Sequence, residues 1–265
     1  MSTVLITGAG SGIGRATALA FARRGDVVLC VDIASDAAEK TAAACEEAGA
    51  ASAAAFTCDV ADREAMTGLA AAVLDRFGPP DVLVNNAGVG MSARFNDMSL
   101  DDWNWIRSIN LDGVVNGCAV FGPAMTAAGR GHVVNVASGL GYTPTATEPA
   151  YVATKAAVLA LSQCLRADWS AAGVGVSAIC PGVINTPIVD HTRFLGAAAD
   201  PARLRRTKRV FRRGHKPELV AKAIVRAVER NRSVVPVGIE AWLVWGLHRF
   251  APVRVQQAIA RQGLK

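Results

Sequence analysis

The chain has 265 residues, of which 51% are hydrophobic and 19% are charged, and its formal net charge is +6 at pH 7. This length and composition favour one large α/β domain with a continuous core, and they argue against an intrinsically disordered chain. The six cysteines lack CxxC spacing and the four histidines are scattered, so we expect free, buried thiols in a reducing compartment and no metal site.

The start of the chain and its hydropathy bear on localisation. A strand-like run over residues 3–7 begins almost at the first residue and leaves no room for a secretory signal. No apolar stretch approaches the roughly 18 residues that a membrane-spanning helix needs. We therefore expect a cytoplasmic protein, with peripheral contact at the inner membrane surface as an open alternative.

Short β-branched runs alternate with longer Ala-rich segments. The runs are nearly continuous in hydrophobicity, which predicts strands buried on both faces of a parallel sheet, at residues 4–6, 27–31, 82–84, 133–134 and 174–179. The segments between them predict helices near residues 13–24, 36–48, 62–77, 100–128 and 149–172, the fourth opening with a Ser99/Asp102 capping box. This alternation predicts an α/β fold with a doubly wound parallel sheet of about seven strands and helices on both faces.

The pattern changes after Ile179. Residues 182–216 form a long, Arg-rich stretch without clear periodicity, which we interpret as an irregular lid. A helix with Pro217 in its first turn and a strand over residues 234–237 follow. We expect residues 1–240 to form one domain, with a substrate loop at about 186–216. The remaining residues, 241–265, with a short helix over 253–262, form a tail that packs on the domain, a partner subunit or a membrane surface.

A glycine-rich turn follows the first strand and opens the first helix. It reads Thr7-Gly8-Ala9-Gly10-Ser11-Gly12-Ile13-Gly14, which fails the strict GxGxxG spacing. Glycines here let the backbone approach a pyrophosphate, and the helix N-terminus offers free N–H groups. Asp32 at the end of the second strand can bind ribose hydroxyls and repel a 2′-phosphate. We therefore predict NAD as the cofactor.

Further motifs follow in order, and together they resemble the classical short-chain dehydrogenase/reductase family over roughly residues 1–240. Besides TGxxxGxG, they are Asp59-Val60, Asn85-Asn86-Ala87-Gly88, Asn110, Ser138, the YxxxK pair Tyr151 and Lys155, and Pro181-Gly182-Val183-Ile184-Asn185-Thr186.

The resemblance implies a Rossmann fold and assigns the site residues. The expected catalytic residues are Asn110, Ser138, Tyr151 and Lys155. The expected cofactor-binding residues are Gly8, Ser11, Gly12, Ile13, Gly14, Asp32, Ile33, Asp59, Val60, Asn86, Ala87, Gly88, Tyr151, Lys155, Pro181, Gly182, Ile184 and Thr186. It further implies that Lys155 binds the nicotinamide ribose and that Asn110 holds a water linking Lys155 to solvent.

Tyr151 and Lys155 also have a direct physical interpretation. Positions i and i+4 share a helix face, so the phenol and the ammonium are expected to be neighbours. A phenol titrates near pH 10, and lowering that to about 7 takes roughly 4 kcal/mol, which Lys155 and a positive nicotinamide together could supply. Ser138 would then hydrogen-bond the substrate oxygen.

The remaining charged and aromatic residues have less specific interpretations. Trp103 and Trp105 are expected in packing or subunit contacts, and His191 faces solvent. The basic run from Arg203 to Lys216 could contact phosphates of an acyl carrier or an anionic membrane, or form a solvated face. Without a recognition motif we expect no nucleic-acid binding.

These observations predict an NAD(H)-dependent oxidoreductase. It would transfer a hydride between nicotinamide and a secondary alcohol or ketone of a fairly apolar substrate, with the tyrosine as general acid/base. A 3-oxoacyl-thioester reductase and a non-catalytic dinucleotide-binding sensor remain alternatives. We expect a homodimer built through the helices over residues 100–128 and 149–172, with the tail covering the surface that a tetramer would use. A tetramer remains an alternative.

Overall fold

The computed structural model describes residues 1–261. Gln262, the end of the predicted tail helix, lies with residues 263–265 outside the described residues. Seven parallel strands form the main sheet, in the order β3-β2-β1-β4-β6-β7-β9. They are β1 (Thr3–Thr7), β2 (Val27–Asp32), β3 (Ser52–Thr57), β4 (Val82–Asn85), β6 (Gly131–Val136), β7 (Val174–Pro181) and β9 (Val234–Val237). The predicted doubly wound sheet of about seven strands is confirmed.

Helices cover both faces of this sheet. In chain order the helices of the chain are α1 (Gly12–Ala22), α2 (Ser35–Glu47), α3 (Arg63–Phe77), α4 (Leu100–Arg107), α5 (Gly113–Ala127), α6 (Pro149–Trp169), α7 (Pro201–Arg212), α8 (Pro217–Glu229), α9 (Ile239–Phe250) and α10 (Val253–Ala260). One core lies between the sheet and α1, α2 and α8, around Phe21 and Ile224. The other lies under α3, α5 and α6, around Met66 and Phe121. Strands buried on both sides explain the continuous apolar runs.

The helix predicted over residues 100–128 contains a local irregularity. The Ser99/Asp102 capping box is present, with Ser99 Oγ accepting from the Asp102 N–H at 3.1 Å. The chain then forms a π-helical turn at Ser108–Asp112 between α4 and α5. Such turns occur frequently at functional sites, and this one contains Asn110.

The prediction of an irregular connection over residues 182–216 is wrong. A short strand, β8 (Thr192–Phe194), pairs in parallel with β5 (Gly90–Ser92). The helix α7 follows, because the Asp200 carboxylate caps it by accepting from the N–H groups of Ala202 and Arg203, both at 3.0 Å, and Pro201 fits its first turn.

The tail folds back along its own domain. On one side of α9, Ala241 is buried and the Val244 and Trp245 side chains pack against the core under α3, α5 and α6. On the other side Leu243 is 68% exposed and Phe250 is 79% exposed. The helix therefore has an apolar face that the described chain leaves uncovered.

Within residues 1–261, no helix is long and apolar enough to cross a bilayer. The same part of the chain gathers no group of three or more His, Cys, Asp or Glu side chains suited to a metal ion. Its six cysteines are free and five are buried, whereas Cys164 on α6 is exposed, contrary to the expectation for all six.

Candidate active site

The glycine-rich turn brings the end of β1 and the start of α1 into direct contact. Gly8 and Gly12 have φ of 64° and 50°, the left-handed region that favours glycine. A Cβ on Gly14 would lie 2.0 Å from the Gly8 carbonyl oxygen, so no larger residue fits there. The Ser11 side chain makes no capping hydrogen bond, and the first N–H groups of α1, including that of Ile13, therefore remain available to an anion.

The segment after β4 braces this turn. Asn86 Nδ2 donates to the carbonyl oxygens of Thr7 at 2.9 Å and Gly8 at 3.2 Å. The backbone N–H groups of Asn86 and Ala87 donate to Thr7 Oγ1 at 3.0 and 3.1 Å. The Asn-Asn-Ala-Gly motif is thus one wall of the glycine turn.

Asp32 lies beside the same turn, at the end of β2. Its carboxylate accepts from the N–H of Gly10 at 2.8 Å and from the N–H of Ala34 at 3.0 Å. Ile33 follows and is 68% exposed. The structure therefore places a fixed negative charge and an open apolar side chain where the sequence predicts an adenosine ribose.

Asp59 and Val60, which follow β3, differ in their surroundings. Asp59 is exposed, and its carboxylate accepts from the N–H of Ala61 at 2.9 Å. Val60 is buried, and its carbonyl oxygen accepts from Asn116 Nδ2 at 2.9 Å. The Asp59 carboxylate is therefore the exposed side chain of this pair.

Gly88 lies between two of the predicted catalytic side chains. A Cβ on Gly88 would lie 3.2 Å from Asn110 Oδ1 and 3.4 Å from Lys155 Nζ. The Asn110 side chain is fully buried in the π-helical turn, where Oδ1 accepts from the Val89 N–H at 2.8 Å and Nδ2 donates to the Val89 carbonyl at 2.9 Å. Both of its polar atoms are therefore engaged by the backbone.

The Lys155 amine is buried next to Tyr151. Its Nζ donates to the Val136 carbonyl oxygen at 3.0 Å and lies 5.9 Å from the centroid of the Tyr151 ring. Burial lowers the pKa of Lys155 to about 8, and the nearby Cys180 thiol opposes that shift. A lysine with this pKa is charged in most molecules at pH 7.

Tyr151 lies beside Ser138 at the start of α6. Burial raises the pKa of Tyr151 to about 12, the Ser138 hydroxyl works in the opposite direction, and the Glu148 carboxyl raises it further. Lys155 does not offset the burial. The lowering of the Tyr151 pKa that the sequence predicts therefore depends on the positive charge of a bound nicotinamide.

The residues after β7 return across the glycine turn. The Gly182 N–H donates to the Val237 carbonyl at 2.8 Å, continuing the pairing of β7 with β9 after Pro181. Thr186 contacts the turn, because a Cβ on Gly12 would lie 3.2 Å from Thr186 Cβ. Ile184, by contrast, is 4% exposed and packs in the core, so its side chain does not face the turn.

Sequence reasoning missed Glu240, which joins the tail to this segment. Its Oε1 accepts from the Val183 N–H at 2.7 Å, and its Oε2 lies 3.1 Å from His215 Nε2. Burial raises the pKa of Glu240, but the backbone N–H groups and His215 outweigh it, so the pKa is lowered. No local signal reveals this contact, since 57 residues separate its partners along the chain.

Two backbone hydrogen bonds close the base of the segment that the sequence predicts as a substrate loop. The His215 N–H donates to the Val183 carbonyl at 2.9 Å, and the Asn185 N–H donates to the His215 carbonyl at 2.8 Å. We call these residues, 183–185 and 215, the loop stem. Glu240 holds both of its sides.

Glu148 was also missed. It immediately precedes α6, three residues before Tyr151, and burial raises its pKa to about 7. The Tyr151 hydroxyl therefore has a titratable carboxyl as a neighbour, in addition to the predicted serine and lysine.

Comparison with known proteins identifies the family. A family model described as short chain dehydrogenase matches residues 2–194. The chain belongs to the short-chain dehydrogenase family. This is a family of oxidoreductases, and the match agrees with the resemblance found in the sequence.

Individual relatives of this short-chain dehydrogenase are similar over most of its length. "Probable oxidoreductase EphD" of Mycobacterium tuberculosis is 43% identical over 255 residues, which cover 94% of this chain and 43% of the relative. The chain thus spans less than half the length of that relative. D-threitol dehydrogenase of Mycolicibacterium smegmatis is 39% identical over 197 residues, covering 74% and 75% of the two chains.

A solved structure supports the same family. A short-chain dehydrogenase/reductase from Burkholderia phymatum, in complex with NAD, superposes with a TM-score of 0.86 at 31% identity. The match covers 97% of this chain and 95% of the other.

Proposed function

We propose that the chain is an NAD(H)-dependent oxidoreductase that interconverts a secondary alcohol and a ketone on a fairly apolar substrate. The observation that carries this proposal is the position of the Lys155 amine. Its Nζ lies 5.9 Å from the centroid of the Tyr151 ring, donates to the Val136 carbonyl oxygen at 3.0 Å and lies next to Gly88. Asn110 touches the same glycine. The NAD complex of the Burkholderia relative supports the choice of cofactor.

The residues of the glycine turn suit a dinucleotide. A Cβ at Gly14 would fill the space against Gly8, and the uncapped N-terminus of α1 offers N–H groups to a diphosphate. Asp32 supplies acceptors for ribose hydroxyls while already fixed by Gly10 and Ala34. Residues 181–186 would cover the nicotinamide end, with Thr186 facing the turn. When bound, the nicotinamide supplies or accepts the hydride.

Tyr151 is proposed as the group that exchanges a proton with the substrate oxygen. With a pKa raised to about 12, its hydroxyl holds a proton at neutral pH and can donate it to a ketone as the alcohol forms. In the oxidative direction the phenol would first lose that proton to solvent, and the phenolate, stabilised by the charges of Lys155 and a bound nicotinamide together, would then accept the proton of the substrate alcohol. Ser138, whose Oγ accepts from the Leu140 N–H at 3.1 Å, keeps its own proton free to donate to the substrate oxygen.

Asn110 is proposed to position the backbone beside Lys155. Its two hydrogen bonds to Val89 fix the chain next to Gly88, and Gly88 leaves room for the Lys155 amine. A water that connects Lys155 to solvent would have to use the free lone pair of Asn110 Oδ1 or its main-chain carbonyl.

The proposal is tested by measuring NAD⁺ reduction with secondary alcohols, sterols and 3-hydroxyacyl thioesters in wild type and in Tyr151→Phe. We expect kcat of the variant to fall at least about a hundredfold, since general acid-base catalysis is worth that much, with NADH affinity little changed. Tyr142→Phe, at the only other tyrosine, is the matched control.

Near-wild-type turnover in Tyr151→Phe would refute the mechanism. Tight NADH binding without turnover on any of these substrates would instead favour a dinucleotide sensor. Turnover confined to acyl thioesters would favour the thioester reductase.

We also propose a homodimer through α4, α5 and α6. Val115 is 42% exposed and Leu100 is 81% exposed on these helices, which gives them apolar surface to bury. Light scattering after gel filtration measures the mass directly, and a tetramer would contradict the proposal.

A further inference from the structure

One face of α7 carries four cations. Arg205, Lys208, Arg209 and Arg212 follow the i, i+3, i+4, i+7 spacing of a single helical face. This face looks onto the segment from Asn185 to Asp190, and a cavity of about 500 Å³ lies between them. The four side chains therefore line one cleft that is open to solvent.

Most of this positive charge is not neutralised. Lys208 Nζ forms an ion pair with Asp190 Oδ1 at 2.9 Å. Arg205, Arg209 and Arg212 form no ion pair within residues 1–261. Three guanidinium groups around one cavity repel each other, and an anion with several oxygens would relieve that repulsion.

The cavity also has apolar lining and a defined place in the fold. Pro187, Val189 and Phe211 contribute apolar surface. Thr186, another lining residue, contacts Gly12 in the glycine turn. The cationic face therefore lies at the same end of the sheet as the N–H groups of α1.

We propose that this cavity binds a phosphate group, as a diphosphate or a phosphate ester, which either the dinucleotide or the substrate carries. Arginine forks match phosphate oxygens in geometry and charge. A cavity closed on two sides suits a compact anion better than a flat bilayer. This proposal rests on the proposed function, which identifies the dinucleotide as NAD(H).

The test measures binding of inorganic pyrophosphate to the full chain by titration calorimetry. Arg209→Gln removes one guanidinium from the cavity, and Arg203→Gln removes one from the opposite side of the same helix. We expect Arg209→Gln to weaken binding about tenfold, as a charge-assisted hydrogen bond predicts, and Arg203→Gln to leave it unchanged. Equal effects of the two variants, or the lack of binding at millimolar pyrophosphate, would overturn the proposal.

A second titration, with the protein saturated by NADH, identifies the source of the phosphate. If the dinucleotide provides it, NADH abolishes pyrophosphate binding and Arg209→Gln weakens the NADH affinity. If the substrate provides it, pyrophosphate still binds in the presence of NADH, and the NADH affinity of Arg209→Gln equals that of wild type. Both readouts are independent of turnover, so failure here leaves the Tyr151 test intact.

Discussion

Gly14 and the Gly8 carbonyl oxygen are in direct contact, and a Cβ at Gly14 would lie 2.0 Å from that oxygen. The clash is with backbone at both ends, so neither side can yield without moving β1 or α1. We expect Gly14→Ala to lower the free energy of unfolding by about 1–3 kcal/mol, the usual cost of overpacking, and to weaken NADH binding. Urea unfolding and NADH fluorescence measure the two effects.

Gly68→Ala is the matched control for that variant. Gly68 lies on the exposed side of α3, and a Cβ there would meet nothing within 4 Å. Alanine should therefore stabilise the helix by about 0.5–1 kcal/mol. A stable, NADH-binding Gly14→Ala would show that the turn tolerates a side chain.

Asp32 is expected to determine the preference for NAD over NADP. A carboxylate about 4 Å from a phosphate charge costs roughly 4 kcal/mol at an effective dielectric of about 20, and solvent reduces this to a preference of about a hundredfold. The double variant Asp32→Asn/Ile33→Arg removes the charge and adds a cation at an exposed position, so it should favour NADPH. Fluorescence titration with both coenzymes measures this. An unchanged preference between NADH and NADPH would show that another residue distinguishes the two coenzymes at the ribose.

The loop stem is predicted to depend on Glu240. Glu240→Ala loses the acceptor for the Val183 N–H and the partner of His215, which together hold the two sides of the stem. We expect trypsin to cut within the Arg-rich helix α7 about tenfold faster, because a charge-assisted hydrogen bond stabilises by about 1.5–3 kcal/mol. Glu240→Gln retains an acceptor for the Val183 N–H, so its cleavage rate should lie between those of wild type and Glu240→Ala. Identical cleavage of wild type and Glu240→Ala would rule out this role.

His132 predicts a loss of stability in acid. It is 6% exposed and lies 2.7 Å from Ser177 Oγ, and burial, with a smaller effect of Arg166, lowers its pKa to about 4. The unfolded state therefore binds the proton more readily between pH 6.5 and 4. The contribution of His132 to stability is present above that range and is lost as the pH falls through it, by up to about 1.4 kcal/mol per pH unit.

Urea unfolding between pH 7 and 4.5 measures this loss. His132→Asn should flatten the pH dependence, whereas His191→Asn, at an exposed position, should keep the wild-type slope. Parallel curves for wild type and His132→Asn would contradict the assignment.

Local pattern predicted most of the sheet and the positions of the site motifs. Parallel strands buried on both faces leave apolar runs, and the glycine turn needs residues without side chains at Gly8 and Gly14. Both constraints act within a few residues, so the printed sequence shows them. The roles of the site residues stay predictions.

The parts that sequence reasoning missed depend on distant contacts or on signals hidden by charge. Asp200 and Pro201 are signals of a helix N-terminus that the sequence contains, but the many arginines that follow make the α7 helix hard to recognise. The pairing of β5 with β8 joins residues about one hundred positions apart, and Glu240 meets Val183 only once β9 has joined the sheet. No periodicity within a segment encodes such contacts.

The closed stem brings the two ends of the segment between Asn185 and His215 side by side, and within the segment β8 adds a second attachment by pairing with β5. The two ends of the segment meet in one pair of backbone hydrogen bonds, so its length can change without moving β7 or α8. The entropy of closing such a loop grows only slowly with its length. A graft of the corresponding segment from a relative should therefore fold on this scaffold and transfer substrate preference while the coenzyme preference stays with β1 and β2.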